Sequence, residues 1–313
     1  MIRLRAAALA NQPPAQEAAD AHLAGGGGAL GAALSGFFAA CGAHPSVLLG
    51  PLTILVGGTG QGARAFDGRP RQPGLTAKRP RGFAEGTQVP LAARVAAPSS
   101  PFAAVIAHAY AGQGGFSQLV RPGIETAERA GAAERARLLE RLARVGASAL
   151  TEPGFRRPLL GVASASEGGN LTAADLEPPP DTDVAAREGN DGTEACYELP
   201  WSDAAPVGAG AAGFDAGVCA VDTQGVFAAV GYRVADSGLT IAELELVAPL
   251  LAVPVLRGVP RIAPGARLGK PNFIRLLLDA ERRFHGVRAA ADGARSLTLY
   301  RDPISRWVTA QQK

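Results

Sequence analysis

The amino-acid sequence predicts an α/β (α+β) protein that folds as one compact domain. Hydrophobic residues make up 47% of the 313 residues and charged residues 19%, which is enough apolar surface to build a core. Segments with helical periodicity dominate the first half, and segments typical of strands dominate the second. This order favours packed layers of helices and sheets.

The first half predicts helices around one β-hairpin. Residues 16–43 are Ala-rich, and the four glycines at 25–28 predict a break between two helices, because glycine disfavours a helix interior. Two β-rich runs, 47–56 and 63–67, flank the glycine-rich turn 57–62 and predict the hairpin. Three further helices are predicted, at 102–110, 115–130 and 132–145.

The second half predicts mainly strands. Residues 217–221 and 225–234 form a predicted hairpin around the turn at 222–225. The apolar run 244–256 contains Pro249 and Pro254, which leaves edge strands or a broken helix open. Residues 273–284 are compatible with a strand or a helix, and 295–301 alternate as a strand does.

A Pro-rich polar stretch, residues 177–192, predicts a linker or loop between the two halves. The predicted organisation is therefore a first region at 1–176, a linker at 177–192 and a β-rich region at 193–313. All three are expected to belong to one compact unit.

Charge and composition exclude several classes of function. The net charge of +3 is too small for a nucleic-acid binder. Three cysteines without CxxC spacing and four scattered histidines predict no metal site and no cofactor. The chain shows no signal peptide and no apolar run of about 20 residues, so we expect a cytoplasmic protein without a membrane partner.

Arg69 is a candidate binding residue because it follows the predicted strand at 63–67 in the motif Asp67-Gly68-Arg69. A guanidinium at the end of a strand can bind a carboxylate through two parallel hydrogen bonds. The alternative is an exposed loop arginine. His108 lies in an apolar predicted helix, which favours a core histidine over a catalytic base.

Four stretches of the sequence carry a family resemblance. They are AHLAGGGGALGAALSGFFAACGAHP at 21–45, AFDGRPRQP at 65–73, LVRPGIETAERAG at 119–131 and GGNLTAADL at 168–176. In this order they are similar to motifs of the γ-glutamyltranspeptidases, which are Ntn-hydrolases. The resemblance implies a truncated four-layer αββα sandwich, with 1–176 similar to the large subunit and 193–313 to the small subunit.

The same resemblance assigns roles to individual residues. Arg69 matches the family arginine that binds the α-carboxylate of the substrate. In the family a threonine, freed by self-cleavage, is the nucleophile. The matching stretch here is DAGVCAVDTQG at 215–225, which places Asp215 at the nucleophile position. The paired serines of the family would fall near 261–271, where this chain has no serine.

Two functions follow, and the sequence leaves both open. One is a degenerate, non-catalytic relative that binds a carboxylate ligand of the glutamyl type, or that serves as a subunit beside a protein partner or a second copy. The other is an active γ-glutamyl amide hydrolase or transferase with a different nucleophile, for which Cys219, Thr223 and Cys196 are the candidates.

Overall fold

The computed structural model describes residues 5–58, 61–78, 82–192, 194–201, 212–290 and 295–312. The predicted turn at 57–62 lies partly outside the described residues. Six α-helices, all in the first half, are described: α1 (Pro13–Ala24), α2 (Ala29–Ala43), α3 (Ser100–Ala111), α4 (Phe116–Arg129), α5 (Ala133–Val145) and α6 (Pro153–Ala163). The predicted break at 25–28 is confirmed, and so are the three helices predicted between 102 and 145.

The first sheet has six antiparallel strands. In chain order they are β1 (Ala7–Ala10), β2 (Leu52–Gly58), β3 (Gln61–Asp67), β4 (Asp183–Ala185), β7 (Gly213–Val221) and β8 (Phe227–Ala235). Their order in the sheet is β1-β7-β8-β2-β3-β4. Both predicted hairpins, β2–β3 and β7–β8, are therefore confirmed and lie side by side.

The second sheet also has six antiparallel strands. They are β5 (Arg187–Asp191), β6 (Glu194–Glu198), β11 (Ile274–Leu278), β12 (Phe284–Ala290), β13 (Ser296–Arg301) and β14 (Val308–Gln312). Their order is β14-β13-β12-β11-β6-β5, and a separate short pair joins β9 (Leu239–Ile241) to β10 (Leu246–Ala248). The ambiguous segment 273–284 is thus a strand, and the apolar run 244–256 contributes only β10.

The segment 177–192, predicted as a linker or loop, contains strands β4 and β5. These two strands belong to different sheets and are separated by Ala186 alone. The segment therefore carries the chain from one sheet to the other. Its polar composition concealed the strands because both lie at sheet edges, where side chains face solvent.

The two sheets pack face to face. Side chains from both sheets, including Leu55, Cys219, Leu276 and Leu299, are buried between them. Helix α2 covers the other face of the first sheet, where Phe37 meets Tyr232 of β8 with ring centroids 5.7 Å apart. A layer of helices and two layers of sheet result.

The outer face of the second sheet carries ion pairs instead of a helix in the described part of the chain. Arg275 lies 3.2 Å from Glu198 and 2.5 Å from Asp191, and Arg288 lies 3.6 Å from Glu194. The predicted αββα order is therefore truncated to αββ. Charged side chains keep this face compatible with solvent.

Helices α2 and α4 approach so closely that glycine is required at their contact. A Cβ atom at Gly123 would lie 2.3 Å from the carbonyl oxygen of Phe38. A Cβ atom at Gly42 would lie 2.1 Å from the carbonyl oxygen of Gly123. Both obstacles are backbone atoms, which cannot rotate away.

This contact predicts that Gly123→Ala lowers the free energy of unfolding by about 1–3 kcal/mol, because the added methyl overpacks the helix pair. The matched control is Gly161→Ala in α6, where nothing lies within 4 Å of the added Cβ. That control should raise the stability by about 0.5–1 kcal/mol, the usual effect in a helix. Urea unfolding of both variants measures the difference, and equal effects would contradict the described contact.

Candidate functional site

Polar groups line the inner face of the first sheet at one end of the sandwich. Asp67 on β3 pairs with Thr53 on β2, Thr53 pairs with Gly231 on β8, and Gly231 pairs with Gly217 on β7. The Thr53 side chain is fully buried, and its Oγ1 donates to the Gly231 carbonyl at 3.5 Å. This row of paired residues lies at the end of the first sheet where β3 ends, and the candidate site is built around it.

Asp67 and Arg69 form a buried ion pair at the end of β3. Nη2 of Arg69 donates to Oδ2 of Asp67 at 2.8 Å, and Nε donates to Oδ1 at 3.0 Å. The backbone N–H of Arg69 also donates to Oδ1, at 3.0 Å. The Arg69 residue is only 2% exposed, and its guanidinium lies 5.4 Å from the centre of the Trp201 ring. The turn thus holds this guanidinium rigidly inside the protein.

The segment 266–272 crosses directly over this pair. Nη1 of Arg69 donates to the Gly269 carbonyl at 3.1 Å, and the backbone N–H of Leu268 donates to the Pro70 carbonyl at 2.8 Å. Nε of Arg267 lies 3.6 Å from Oδ2 of Asp67. Burial lowers the pKa of Arg267, and Asp67 opposes that shift. Two guanidinium groups therefore share the Asp67 carboxylate.

Asp215, at the nucleophile position of the resemblance, lies on β7 directly opposite Arg233 of β8. Nη1 of Arg233 lies 3.0 Å from Oδ1 of Asp215. The side-chain amide of Asn272 donates to the same oxygen at 3.5 Å and to the Tyr232 carbonyl at 3.1 Å. Asn11 accepts from the Gly217 N–H at 3.0 Å. The residue that the resemblance assigns to the nucleophile position is thus a hydrogen-bonded carboxylate.

The structure brings Arg69 and Asp215 to the same end of the first sheet, and the region between them is the candidate site, termed the cleft. Asp67 and Gly217 are three strand spacings apart, about 14 Å. The segment 266–272 bridges this gap, because Gly269 contacts Arg69 and Asn272 contacts Asp215. The side chain of Asn272 packs over Gly231. A Cβ atom added at Gly231 would lie 2.6 Å from the Cβ atom of Asn272.

The alternative nucleophiles lie elsewhere. Cys219 is fully buried between the sheets, where its thiol donates to the Leu297 carbonyl at 3.7 Å, and burial raises its pKa. Cys196 pairs with Leu277 in the second sheet, and burial raises its pKa too. Thr223 is exposed in the β7–β8 turn, roughly 25 Å from Asp215 along the strand.

Three site residues were missed by the sequence interpretation: Arg233, Arg267 and Asn272. No local motif marks them, because their partners are distant in the chain. Arg267 lies inside the stretch 261–271 that the resemblance singles out, which is the one signal that pointed to it. His108 in α3 is half-buried against Phe116 of α4, and burial lowers its pKa.

The described residues hold neither a metal-binding cluster nor a helix that could span a membrane. No group of three His, Cys, Asp or Glu side chains among them could hold a metal ion. None of the described helices is both long and apolar enough to cross a membrane.

Comparisons with known proteins define the fold. No protein-family model and no curated protein sequence matches this chain. Among solved structures, a cephalosporin acylase from Bacillus halodurans matches with a TM-score of 0.71 and 11% identity, over 100% of this chain and 95% of that chain. A variant of LmbA2991 matches with a TM-score of 0.70 and 13% identity, over 99% and 97%.

A third similar structure is a γ-glutamyltranspeptidase from Pseudomonas nitroreducens complexed with L-DON. It matches with a TM-score of 0.51 and 18% identity, over 63% of this chain and 71% of that chain. The chain therefore has the mixed α/β sandwich fold of the Ntn-hydrolases. Within that class, the resemblance to γ-glutamyltranspeptidases that the motifs predict is confirmed at the level of the fold. The partial coverage is consistent with a shortened and divergent chain.

The burial of the cysteines predicts low thiol reactivity. Cys41, Cys196 and Cys219 are each 0% exposed, and burial raises the pKa of each thiol, which reduces the reactive thiolate. We expect iodoacetamide at pH 8 to modify none of them in the native chain and all three in urea, as measured by mass spectrometry. Modification of native Cys219 or Cys196 at the rate of the unfolded chain would contradict this geometry.

Proposed function

We propose that this chain is a γ-glutamyltranspeptidase-like protein without catalytic activity. In this proposal it binds a carboxylate ligand of the glutamyl type in the cleft, or serves as a subunit beside a partner, in the cytoplasm. One observation carries the proposal. Asp215, the residue that the resemblance assigns to the nucleophile position, is a carboxylate that lies 3.0 Å from Arg233.

The chemistry of that position supports the absence of catalysis. Self-cleavage in Ntn-hydrolases requires a hydroxyl or thiol that attacks the preceding peptide bond, and the freed amine then serves as the base. Asp215 carries neither a hydroxyl nor a thiol, and its carboxylate is already paired with the Arg233 guanidinium, so it cannot perform this step. Strand β7 also continues two residues before Asp215 in register with β8, which keeps that peptide bond within a ladder.

Cationic groups at the other side of the cleft support a carboxylate ligand. Arg69 is the residue that the resemblance assigns to this role. The Nε and Nη2 groups of its guanidinium already donate hydrogen bonds to Asp67. Arg267 shares Asp67 at the longer distance of 3.6 Å, and its side chain is 17% exposed. The Asp181 carboxylate also stabilises the Arg267 cation, so a ligand carboxylate would bind here by displacing one of these two anions. A ligand carboxylate would therefore meet Arg267 beside Arg69.

The alternative is an active γ-glutamyl hydrolase or transferase that uses Cys219, Thr223 or Cys196. It requires cleavage before one of these residues and delivery of the new chain end to the cleft. Cys219 is buried under the second sheet, Cys196 belongs to the second sheet itself, and Thr223 lies at the far end of β7. Their positions weigh against this alternative.

The proposal predicts an uncut and inactive chain. Intact-mass spectrometry should show one species with the mass of the whole chain after prolonged incubation at 37 °C. The same sample should release no anilide from a γ-glutamyl anilide, because the nucleophile and its freed amine are missing.

A processed γ-glutamyltranspeptidase assayed in parallel is the positive control for the substrate. Two fragments divided just before Cys196, Cys219 or Thr223 would establish processing and refute the proposal. Release of anilide by the unmodified chain would also refute the proposal if it disappears in Arg69→Lys. That variant keeps the positive charge but lacks the two parallel N–H donors of the guanidinium.

The cleft predicts selective binding of an α-carboxylate. By calorimetry, L-glutamate should bind at least about tenfold more tightly than 4-aminobutyrate, which lacks the α-carboxylate, because a charge-assisted hydrogen bond contributes about 1.5–3 kcal/mol. Arg267→Gln should remove most of this preference. Asp67 keeps Arg69 as its partner in that variant, so the fold should persist.

Arg121→Gln is the matched control, since Arg121 is an exposed helix residue paired with Glu125. It should leave the affinity for L-glutamate unchanged. Equal affinity for the two compounds, or an unchanged affinity in Arg267→Gln, would rule out carboxylate recognition by these arginines.

A further inference from the structure

The four edges of the two sheets differ in how they are protected. An edge strand presents unpaired N–H and C=O groups that can pair with a strand of another chain. Proteins block such edges with charges, with very short strands or by covering them. The edges here are β1 and β4 in the first sheet and β5 and β14 in the second.

The edge of β1 is covered by a side chain from helix α1. Oε1 of Gln16 accepts from the backbone N–H of Ala10 at 2.7 Å, and Nε2 of Gln16 donates to the carbonyl of Ala8 at 3.1 Å. The Gln16 amide therefore imitates a neighbouring strand. No further strand can pair with β1 while this amide is in place.

The edges of β4 and β5 are protected by length and charge. Strand β4 has three residues, and its Asp183 is paired with Arg64 at 2.6 Å. Strand β5 has the sequence REGND, and its Arg187 is paired with Glu198 at 2.6 Å. The chain passes from one strand to the other through Ala186, which closes this end of the sandwich.

Strand β14 has none of these protections. Its sequence, Val308–Gln312, is VTAQQ, without a charge, a proline or a glycine. It pairs with β13 over all five residues without a bulge. Among the described residues, no side chain hydrogen-bonds to the backbone of its free edge. Of the four edges of the two six-stranded sheets, as far as the described residues show, β14 is the unprotected one.

We propose that β14 pairs with β14 of a second copy of this chain and joins the two second sheets into one continuous sheet. A copy of the same chain fits because the strand is uncharged, so an antiparallel, twofold arrangement brings no like charges together. A charged partner would find no complementary charge on this strand. This dimer is one form of the subunit role in the proposed function. It depends neither on ligand binding nor on the absence of catalysis.

The twofold axis passes beside Ala310, the central residue, because this register pairs all five residues. Thr309 of one copy then lies opposite Gln311 of the other. Both residues are exposed, and they share the outer face of the sheet with Tyr300 and Thr298, their partners on β13. Their side chains can therefore test the register without disturbing the core.

Sedimentation velocity between 1 and 200 µM tests the proposal on the full chain. The unmodified chain should shift from monomer to dimer as its concentration rises. The double substitution Thr309→Lys/Gln311→Lys places like charges opposite each other and should keep the chain monomeric at 200 µM. Thr309→Lys/Gln311→Glu places opposite charges there and should retain the dimer or tighten it.

Glu188→Lys on β5 is the control at a protected edge and should dimerise like the unmodified chain. Urea unfolding establishes that each variant folds. The proposal is wrong if the unmodified chain stays monomeric at 200 µM, if it dimerises and the Lys/Lys variant does so equally, or if the Lys/Glu variant loses the dimer. None of these outcomes changes the expectation for γ-glutamyl anilide turnover, so the two proposals fail separately.

Discussion

The structure around Arg69 depends on one buried carboxylate, Asp67, whose negative charge must be neutralised. A buried charge is tolerated when it is paired and hydrogen-bonded, and breaking such a pair costs about 3–5 kcal/mol. Asp67 meets this need with the side chain and the backbone of Arg69. Arg69 is thereby held where its Nη1 donates to the Gly269 carbonyl, 200 residues later in the chain. The ion pair thus fastens the segment 266–272 across the sheet.

Glycines on the inner face of the first sheet allow this segment and the second sheet to come close. An added Cβ at Gly217 would lie 2.9 Å from the Cβ of Ala289 on β12. At Gly231 an added Cβ would lie 2.6 Å from the Cβ of Asn272. Because side chains are missing at both positions, Asn272 can reach the Asp215 carboxylate. The same closeness leaves Cys219 sealed between the sheets.

A similar fold and a similar activity are separate matters here. The chain shares its sandwich with acylases and transpeptidases at 11–18% identity, a level at which fold survives and function need not. Function depends on the atoms at the site, and the residue that the resemblance assigns to the nucleophile position, Asp215, carries a carboxylate. Its neighbours accommodate that charge, since Arg233 and Asn272 both contact it. The surroundings therefore suit the carboxylate.

The sequence by itself determined the elements that depend on local pattern. Periodicity and glycine placement predicted α1 to α5 and both hairpins, whereas the roles that the motifs assign to Arg69 and Asp215 stay predictions. Only the tertiary structure decided that Arg69 is bound by Asp67, that Arg233, Arg267 and Asn272 belong to the site, and that the polar segment 177–192 holds two strands. These features arise from contacts between residues far apart in the chain, or from edge positions, where neither periodicity nor spacing carries a signal.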